Sequence, residues 1–132
     1  MQPELHEIPQ DQWLPMLDHF SRAHQGQQLE CVIVAPDSGQ HRQVSRVPLL
    51  GISTEPSDGG AKITVIAGSP DGMLFSHEIA HPTRVKFAEW NDGVSGQVEI
   101  EAEDGFHTSV KVGPLDQLLP EGAVLDGNYG RQ

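Results

Sequence analysis

Apolar and polar residues alternate along five short stretches in the second half of the chain. The stretches are residues 61–67, 73–79, 85–90, 97–102 and 106–112, and glycine-bearing turns lie at 68–72, 91–93 and 103–105. Alternation with a period of two, interrupted by such turns, is typical of antiparallel strands joined by hairpins. The pattern therefore predicts an up-and-down antiparallel sheet.

One amphipathic helix is predicted near the start of the chain. Its apolar stripe has the spacing i, i+3, i+4 and i+7 and consists of Trp13, Met16, Leu17 and Phe20. Asp11 suits the N-cap and Gly26 suits the left-handed position after the last turn, so we expect the helix to end at about His24. The polar opposite face indicates that the helix covers a sheet.

Two more strands are predicted, at residues 28–35 and 43–53, and the second should bend near Pro48 and Gly51. We therefore predict an α+β, mostly β fold, in which one N-terminal helix packs on a curled six- to seven-stranded antiparallel meander, barrel-like or open. The domain should span residues 9–112. We expect residues 1–8 to form an extended arm, and residues 113–132 to form a short helix, at 115–119, and a flexible C-terminal tail.

The first hairpin loop sets which residues of its two strands face each other. A five-residue loop at 68–72 places Val65 opposite Phe75 and directs His77 inward, near the core. A four-residue loop would instead bury Glu78. We therefore predict the five-residue loop, with His77 on the inner face of the sheet.

The last hairpin is predicted by the same reasoning. A three-residue loop at 103–105, with Gly105 in the left-handed conformation, places Ile100 opposite Thr108 and assigns Phe106 to the core.

The formal net charge is -11 over 132 residues, which is the length of one domain. Residues 87–132 hold nine acidic and two basic side chains, so the negative charge is concentrated in this part of the chain. Binding to nucleic acid or to anionic membranes needs a cationic surface. The charge therefore argues against both kinds of partner.

Cys31 is the only cysteine, so no internal disulfide can form, and its apolar surroundings predict an unreactive buried thiol. No apolar stretch reaches membrane-spanning length, and residues 1–10 lack the charged and apolar regions of a signal peptide. We therefore expect a cytoplasmic protein.

Residues in and around the predicted helix resemble the opening of a small bacterial family of domains of unknown function. They are Ile8, Pro9, Trp13, Leu17, Phe20, Ser21, Arg22, His24 and Gly26, and the likeness continues at residues 48–52 and at His77, Ile79, Pro82 and Arg84. The resemblance covers most of residues 8–112. It implies a compact domain of this type and no particular activity or cofactor.

Four residues are candidates for a small-ligand site: His24, His77, His81 and Arg84. If the C-terminal end of the helix meets the strand and turn at 77–84, their imidazole and guanidinium groups suit a small anion. The alternative is that His77 is a core histidine satisfied by hydrogen bonds within the fold. Four residues of extended chain span about 13 Å, too far for His77 and His81 to share a metal ion, so we predict no metal and no cofactor.

Glu99, Glu101 and Glu103 alternate along one face of a predicted strand, and Trp90 lies beside a hairpin turn. Two interpretations stay open for these residues: a solvated strand face, or a contact surface for a partner. A catalytic carboxylate pair is not favoured, because glycosidases hold such pairs in a cleft and the aromatic residues here are assigned to the core. No serine has the G-x-S-x-G context of a nucleophile.

We therefore favour a non-catalytic protein-binding or regulatory module and predict no catalytic residues. One alternative is a small-ligand or anion-binding site, with or without enzymatic activity, around His77, His81 and Arg84. Another is a homodimer formed through an exposed sheet edge or through the apolar residues 48–52.

Overall fold

The computed structural model describes residues 4–37, 39, 41–57, 60–69, 74–89, 95–113 and 124–126. Within these ranges the chain forms one α-helix and nine β-strands. The elements are β1 (His6–Ile8), α1 (Trp13–His24), β2 (Gln28–Val34), β3 (His41–Ser57), β4 (Gly60–Gly68), β5 (Leu74–Ala80), β6 (Pro82–Glu89), β7 (Gly96–Ala102), β8 (His107–Val112) and β9 (Val124–Asp126). The predicted mostly β class is confirmed, with nine strands in place of six or seven.

The strands form one open antiparallel sheet in the order β1-β6-β7-β8-β2-β3-β4-β5, and β9 pairs with β3 beside this path. Strands β2 to β5 form one meander and β6 to β8 form a second, and the pairing of β8 with β2 joins them. The prediction of a single meander is therefore wrong at one point. Strand β6 does not pair with β5, although only His81 separates them along the chain.

Strand β3 belongs to two parts of the sheet. Its first half, up to Pro48, pairs with β2, and the remainder pairs with β4. A register shift between Leu49 and Gly51 marks a bulge at the junction, and Arg46 just before it has a φ of 61°. The predicted bend near Pro48 and Gly51 is confirmed, and it lets the sheet curl around its core.

Alternating strand residues and one face of α1 form a single hydrophobic core. Its buried members include Trp13, Leu17 and Phe20 of α1, Leu29, Cys31 and Ile33 of β2, Ile63, Val65 and Ala67 of β4, Val98 and Ile100 of β7, and Val110 and Val112 of β8. Each large apolar side chain that is fully buried contributes about 1.5–3 kcal/mol relative to an exposed one. Burial raises the pKa of the Cys31 thiol to about 12, so this group stays protonated and unreactive, as predicted.

Helix α1 is held to the sheet by hydrogen bonds as well as by its apolar stripe. Ser21 Oγ accepts a hydrogen bond from the Ile52 N–H at 2.8 Å, and Trp13 Nε1 donates to the Ile8 carbonyl at 2.9 Å. The predicted Asp11 cap is wrong. Asp11 lies within a 3-10 turn that precedes α1, and no side chain caps the helix with a hydrogen bond.

The register of the β7–β8 hairpin is confirmed. Ile100 lies opposite Thr108, and Gly105 has a φ of 90°. Phe106, by contrast, is 40% exposed, so its predicted core position is wrong. The β7–β8 ladder ends at the pair formed by Glu101 and His107, which leaves Phe106 in the turn.

The five-residue connection between β4 and β5 is also confirmed, but it lies one residue later than predicted. The connection is 69–73 and the pairing is shifted by two residues, so Val65 lies opposite His77 rather than Phe75. The shift leaves the alternation unchanged. His77 stays on the inner face, half-buried, and Glu78 stays exposed.

Segments on both sides of the predicted domain contribute strands. Residues His6–Ile8 of the predicted arm pair with β6, and Val124–Asp126 pair with β3. The helix predicted at 115–119 lies outside the described residues. In the ranges that are described, no helix has the length and hydropathy required to cross a membrane.

A substitution at Gly96 tests how tightly α1 packs on the sheet. A Cβ at this position would lie 2.8 Å from Phe20 Cε2 and 2.9 Å from His24 Nε2. Because both rings are buried, we expect Gly96→Ala to lower the free energy of unfolding by about 1–3 kcal/mol, measured by urea denaturation.

Gly51→Ala is the matched control, since the added methyl group would meet only Ser21 Oγ, at 4.0 Å. We expect it to change the free energy of unfolding by less than about 1 kcal/mol. Equal losses in the two variants would contradict the close packing at Gly96.

Candidate functional site

His24 is a buried structural residue rather than an open ligand group. It lies in the last turn of α1 and is 2% exposed. Its Nδ1 is 2.7 Å from Gln27 Oε1, its Nε2 is 3.0 Å from Glu89 Oε2, and its ring packs against Phe20. Both ring nitrogens therefore have partners within the fold.

His77 lies at the other end of the sheet from His24. His24 contacts Gly96 at the start of β7, whereas His77 Nε2 is 3.2 Å from Thr108 Oγ1, beside the turn that follows β7. Thr108 pairs with Ile100, four residues along β7 from Gly96, and four residues of strand span about 13 Å. The four predicted ligand residues are therefore not brought together by the structure.

The environment of His77 favours a neutral imidazole. Burial lowers its pKa, the nearby charge of Arg42 lowers it further, and Asp104 partly opposes them. At neutral pH the ring therefore adds no positive charge to this end of the sheet.

His81 forms the corner between β5 and β6. Its side chain is exposed, its φ is 52°, and its carbonyl accepts a hydrogen bond from the Glu103 N–H at 2.9 Å. Histidine is one of the residues that adopt the left-handed conformation more often than most. The role that the structure gives to His81 is therefore a backbone role.

Arg84 lies on the outer face of the sheet, where carboxylates surround it. Its guanidinium group is 3.6 Å from Glu7 and 3.9 Å from Glu101, and it does not line the depression beside His77. Its charge is therefore shared with two acidic side chains.

A cavity of about 230 Å³ opens beside His77. One wall is residues 77–80 of β5, and the opposite wall is formed by Ala102, Asp104, Phe106 and Thr108 of the β7–β8 hairpin. Among the described residues, β5 pairs with β4 alone. The cavity is therefore a groove between an unpaired strand edge and a turn; it is called the β5 groove below.

Strand β5 lacks the usual protection of a sheet edge. Natural edges are commonly short or carry lysine, proline or a bulge, which prevent pairing with another chain. Strand β5 has seven residues and contains no lysine, arginine or proline, and Leu74 is 70% exposed. At the opposite end of the sheet, β1 has only three residues and is followed by Pro9.

The acidic residues predicted as a partner surface are largely engaged with other side chains. Glu99 is half-buried and accepts hydrogen bonds from His107 and Ser109, the latter at 2.6 Å. Glu101 faces Arg84, while Glu103 is exposed. Trp90 lies outside the described residues. The outer face is thus a mixture of paired charges rather than an acidic wall.

A second depression, of about 280 Å³, lies between α1 and β3 and includes Leu14 and Leu50, both exposed. Two of its polar groups have partners, because Asp18 pairs with Arg22 at 3.2 Å and Ser21 bonds β3. Thr54 Oγ1, also in the lining, is buried and has no hydrogen-bond partner among the described residues. In the described part of the chain, no group of three or more His, Cys, Asp or Glu side chains is arranged to hold a metal ion.

Sequence reasoning identified His77 but missed Asp104, Phe106 and Thr108 as its neighbours. They come from a hairpin that is distant from β5 in sequence and is not its neighbour in the strand order, and the two meet only in the folded structure, across the cavity. The one available signal was an aromatic residue directly after the Glu-Asp-Gly turn, at the end of a ladder.

The fold and this groove define a small, mostly β domain with one helix and one unprotected sheet edge. The chain belongs to the family of unknown function DUF5335, which matches residues 4–119, so the resemblance found in the helix and the later residues is confirmed. It is 25% identical over 111 residues to an uncharacterized protein of Aquifex aeolicus, covering 84% of this chain and 94% of that protein. No solved structure matches the chain.

The histidine beside the groove is expected to titrate with a midpoint below 6.5 in an NMR pH titration of its ring protons, because burial disfavours the charged form. The unfolded chain binds this proton more readily than the folded one. His77 therefore reduces stability as the pH falls below 6.5 and has no such effect above it. His77→Gln should lack this part of the pH dependence, and a midpoint at or above 6.5 would contradict the assignment.

The corner at His81 is expected to tolerate glycine better than a β-branched residue. His81→Val should be less stable than His81→Gly by about 1–2 kcal/mol in urea denaturation, because valine resists a positive φ. Thr83 in β6 is the control, since it is exposed in a strand. There the order should reverse, with Thr83→Val more stable than Thr83→Gly. The same order at both positions would rule out a strained corner.

Proposed function

We propose that this protein is a non-catalytic binding module that captures an extended segment of a partner protein along β5. The observation that carries the proposal is the β5 groove, in which four consecutive residues of β5, whose outer edge is unpaired among the described residues, lie across from the β7–β8 turn. An extended peptide that adds to a sheet edge gains backbone hydrogen bonds along the strand, and pockets beside the edge select its side chains. The β5 groove offers both a strand edge with free hydrogen-bonding positions and a pocket beside that edge.

The other candidate functions have less support. An anion site around His77 would share its cavity with the carboxylates of Glu78 and Asp104, and no described cation lines that cavity. A homodimer through β5 would bring together two chains of net charge -11. The buried Cys31 thiol suits a reducing cytoplasm, which we propose as the compartment.

The proposal is tested by selecting displayed random peptides of about eight residues, enough to span β5, on the immobilised full-length chain. A selected peptide is then synthesised with N-methyl groups on one set of alternate residues, and separately on the other set. Strand addition uses only one set of N–H groups, so we expect one form to bind at least about tenfold more weakly and the other to bind normally.

Amide NMR shifts on peptide binding should change within β5 and the β7–β8 turn and not within β1. Three outcomes would overturn the proposal: no peptide is selected, the two methylated forms bind equally, or the shifts lie elsewhere. A concentration-dependent dimer in light scattering that blocks β5 would also overturn it, in favour of self-association.

A further inference from the structure

We infer that the segment captured by β5 is basic, and that one of its arginine or lysine side chains enters the β5 groove, with its stem against Phe106 and its charge facing Asp104. This inference rests on the proposed function. It commits to one class of partner, an extended cationic segment of another protein.

The charges that line the groove are negative. The lining includes the carboxylates of Glu78 and Asp104 and, among the described residues, no lysine or arginine. Glu78 already forms an ion pair, because its Oε2 lies 3.5 Å from Lys62 Nζ. Asp104 uses Oδ1 to accept a hydrogen bond from the Phe106 N–H at 3.0 Å, and its side chain is exposed at the rim. A cation entering the groove would therefore meet an accessible carboxylate.

The apolar part of the groove suits the stem of a long cationic side chain. Phe106 is 40% exposed, and Ile79 and Ala102 are buried in the same walls. Lysine and arginine bury their hydrocarbon stems along apolar surface while the charged head stays near water or an acid. The exposed face of an aromatic ring also attracts a cation, and most strongly a guanidinium group.

His77, the histidine in the groove, does not compete with a partner's lysine or arginine for the Asp104 carboxylate. Its pKa is lowered by burial and by the nearby positive charge of Arg42, while the Asp104 carboxylate acts in the opposite direction. At neutral pH the imidazole is therefore uncharged, and Thr108 holds its Nε2.

A second copy of this chain fits the groove less well than a basic segment does. The seven residues of β5 contain one glutamate and no cation, and each copy carries a net charge of -11. A cationic segment is instead attracted by the field of the whole chain, which raises its rate of association at low salt.

The peptide selection tests this inference directly. We expect the selected peptides to share an arginine or lysine at one fixed position. Replacing that residue with glutamine in the synthetic peptide should weaken binding at least about tenfold at low ionic strength, measured by fluorescence anisotropy. Replacing it with glutamate should weaken binding further, because the groove lining is acidic.

The variant Asp104→Asn should remove most of this preference, so that the basic and glutamine peptides bind within about threefold of each other. The substituted amide keeps an oxygen for the Phe106 N–H, so the turn is preserved. Asp18→Asn is the matched control, since Asp18 is an exposed carboxylate on α1 that pairs with Arg22, and it should keep the full preference.

The outcomes separate this inference from the proposed function. Selected peptides without a fixed basic residue, or a preference unchanged in Asp104→Asn, would overturn the inference and leave strand capture standing. Tighter binding of the glutamate peptide would overturn it in favour of an anionic partner. Failure to select any peptide would overturn both.

Discussion

A single-residue corner at His81 determines how the two halves of this fold meet. It ends the meander that runs from β2 to β5 and starts the one that runs from β6 to β8, and these meet through β8 and β2 instead. The corner needs a φ of 52°, and the Glu103 N–H holds its carbonyl. Because the chain leaves β5 in another direction, the next strand cannot cover the edge of β5, and the β7–β8 turn lies against it instead. The groove follows from that geometry.

Most of the described side chains that could bind a ligand or react instead stabilise the fold. His24 is bonded through both nitrogens, Ser21 links α1 to β3, and the Cys31 thiol is buried and protonated. Glu99 is engaged by its neighbours on the outer face. What stays available at the groove is a strand edge, an exposed aromatic ring and a carboxylate. These are means of recognition, which is why the proposed function is binding.

Local patterns in the sequence predicted the faces of the elements well, because each depends on near neighbours. The stripe through Leu17, the bend at Gly51 and the inward direction of His77 are all confirmed. No local sequence pattern predicts the pairing of β8 with β2. That pairing depends on how the two meanders pack together to bury their apolar faces. The exposure of Phe106 was missed for a related reason: alternation gives the face of a residue but not the point where its ladder ends.

Strand capture requires that the outer edge of β5 be unpaired in the free protein. Hydrogen exchange of the backbone amides of Leu74–Ala80, followed by NMR at low protein concentration, measures this directly. Alternate amides bond β4, so we expect slow exchange at every second residue and fast exchange at the residues between them. Slow exchange at all of them would show a second neighbour on this edge, and the β5 groove would not be open to a partner.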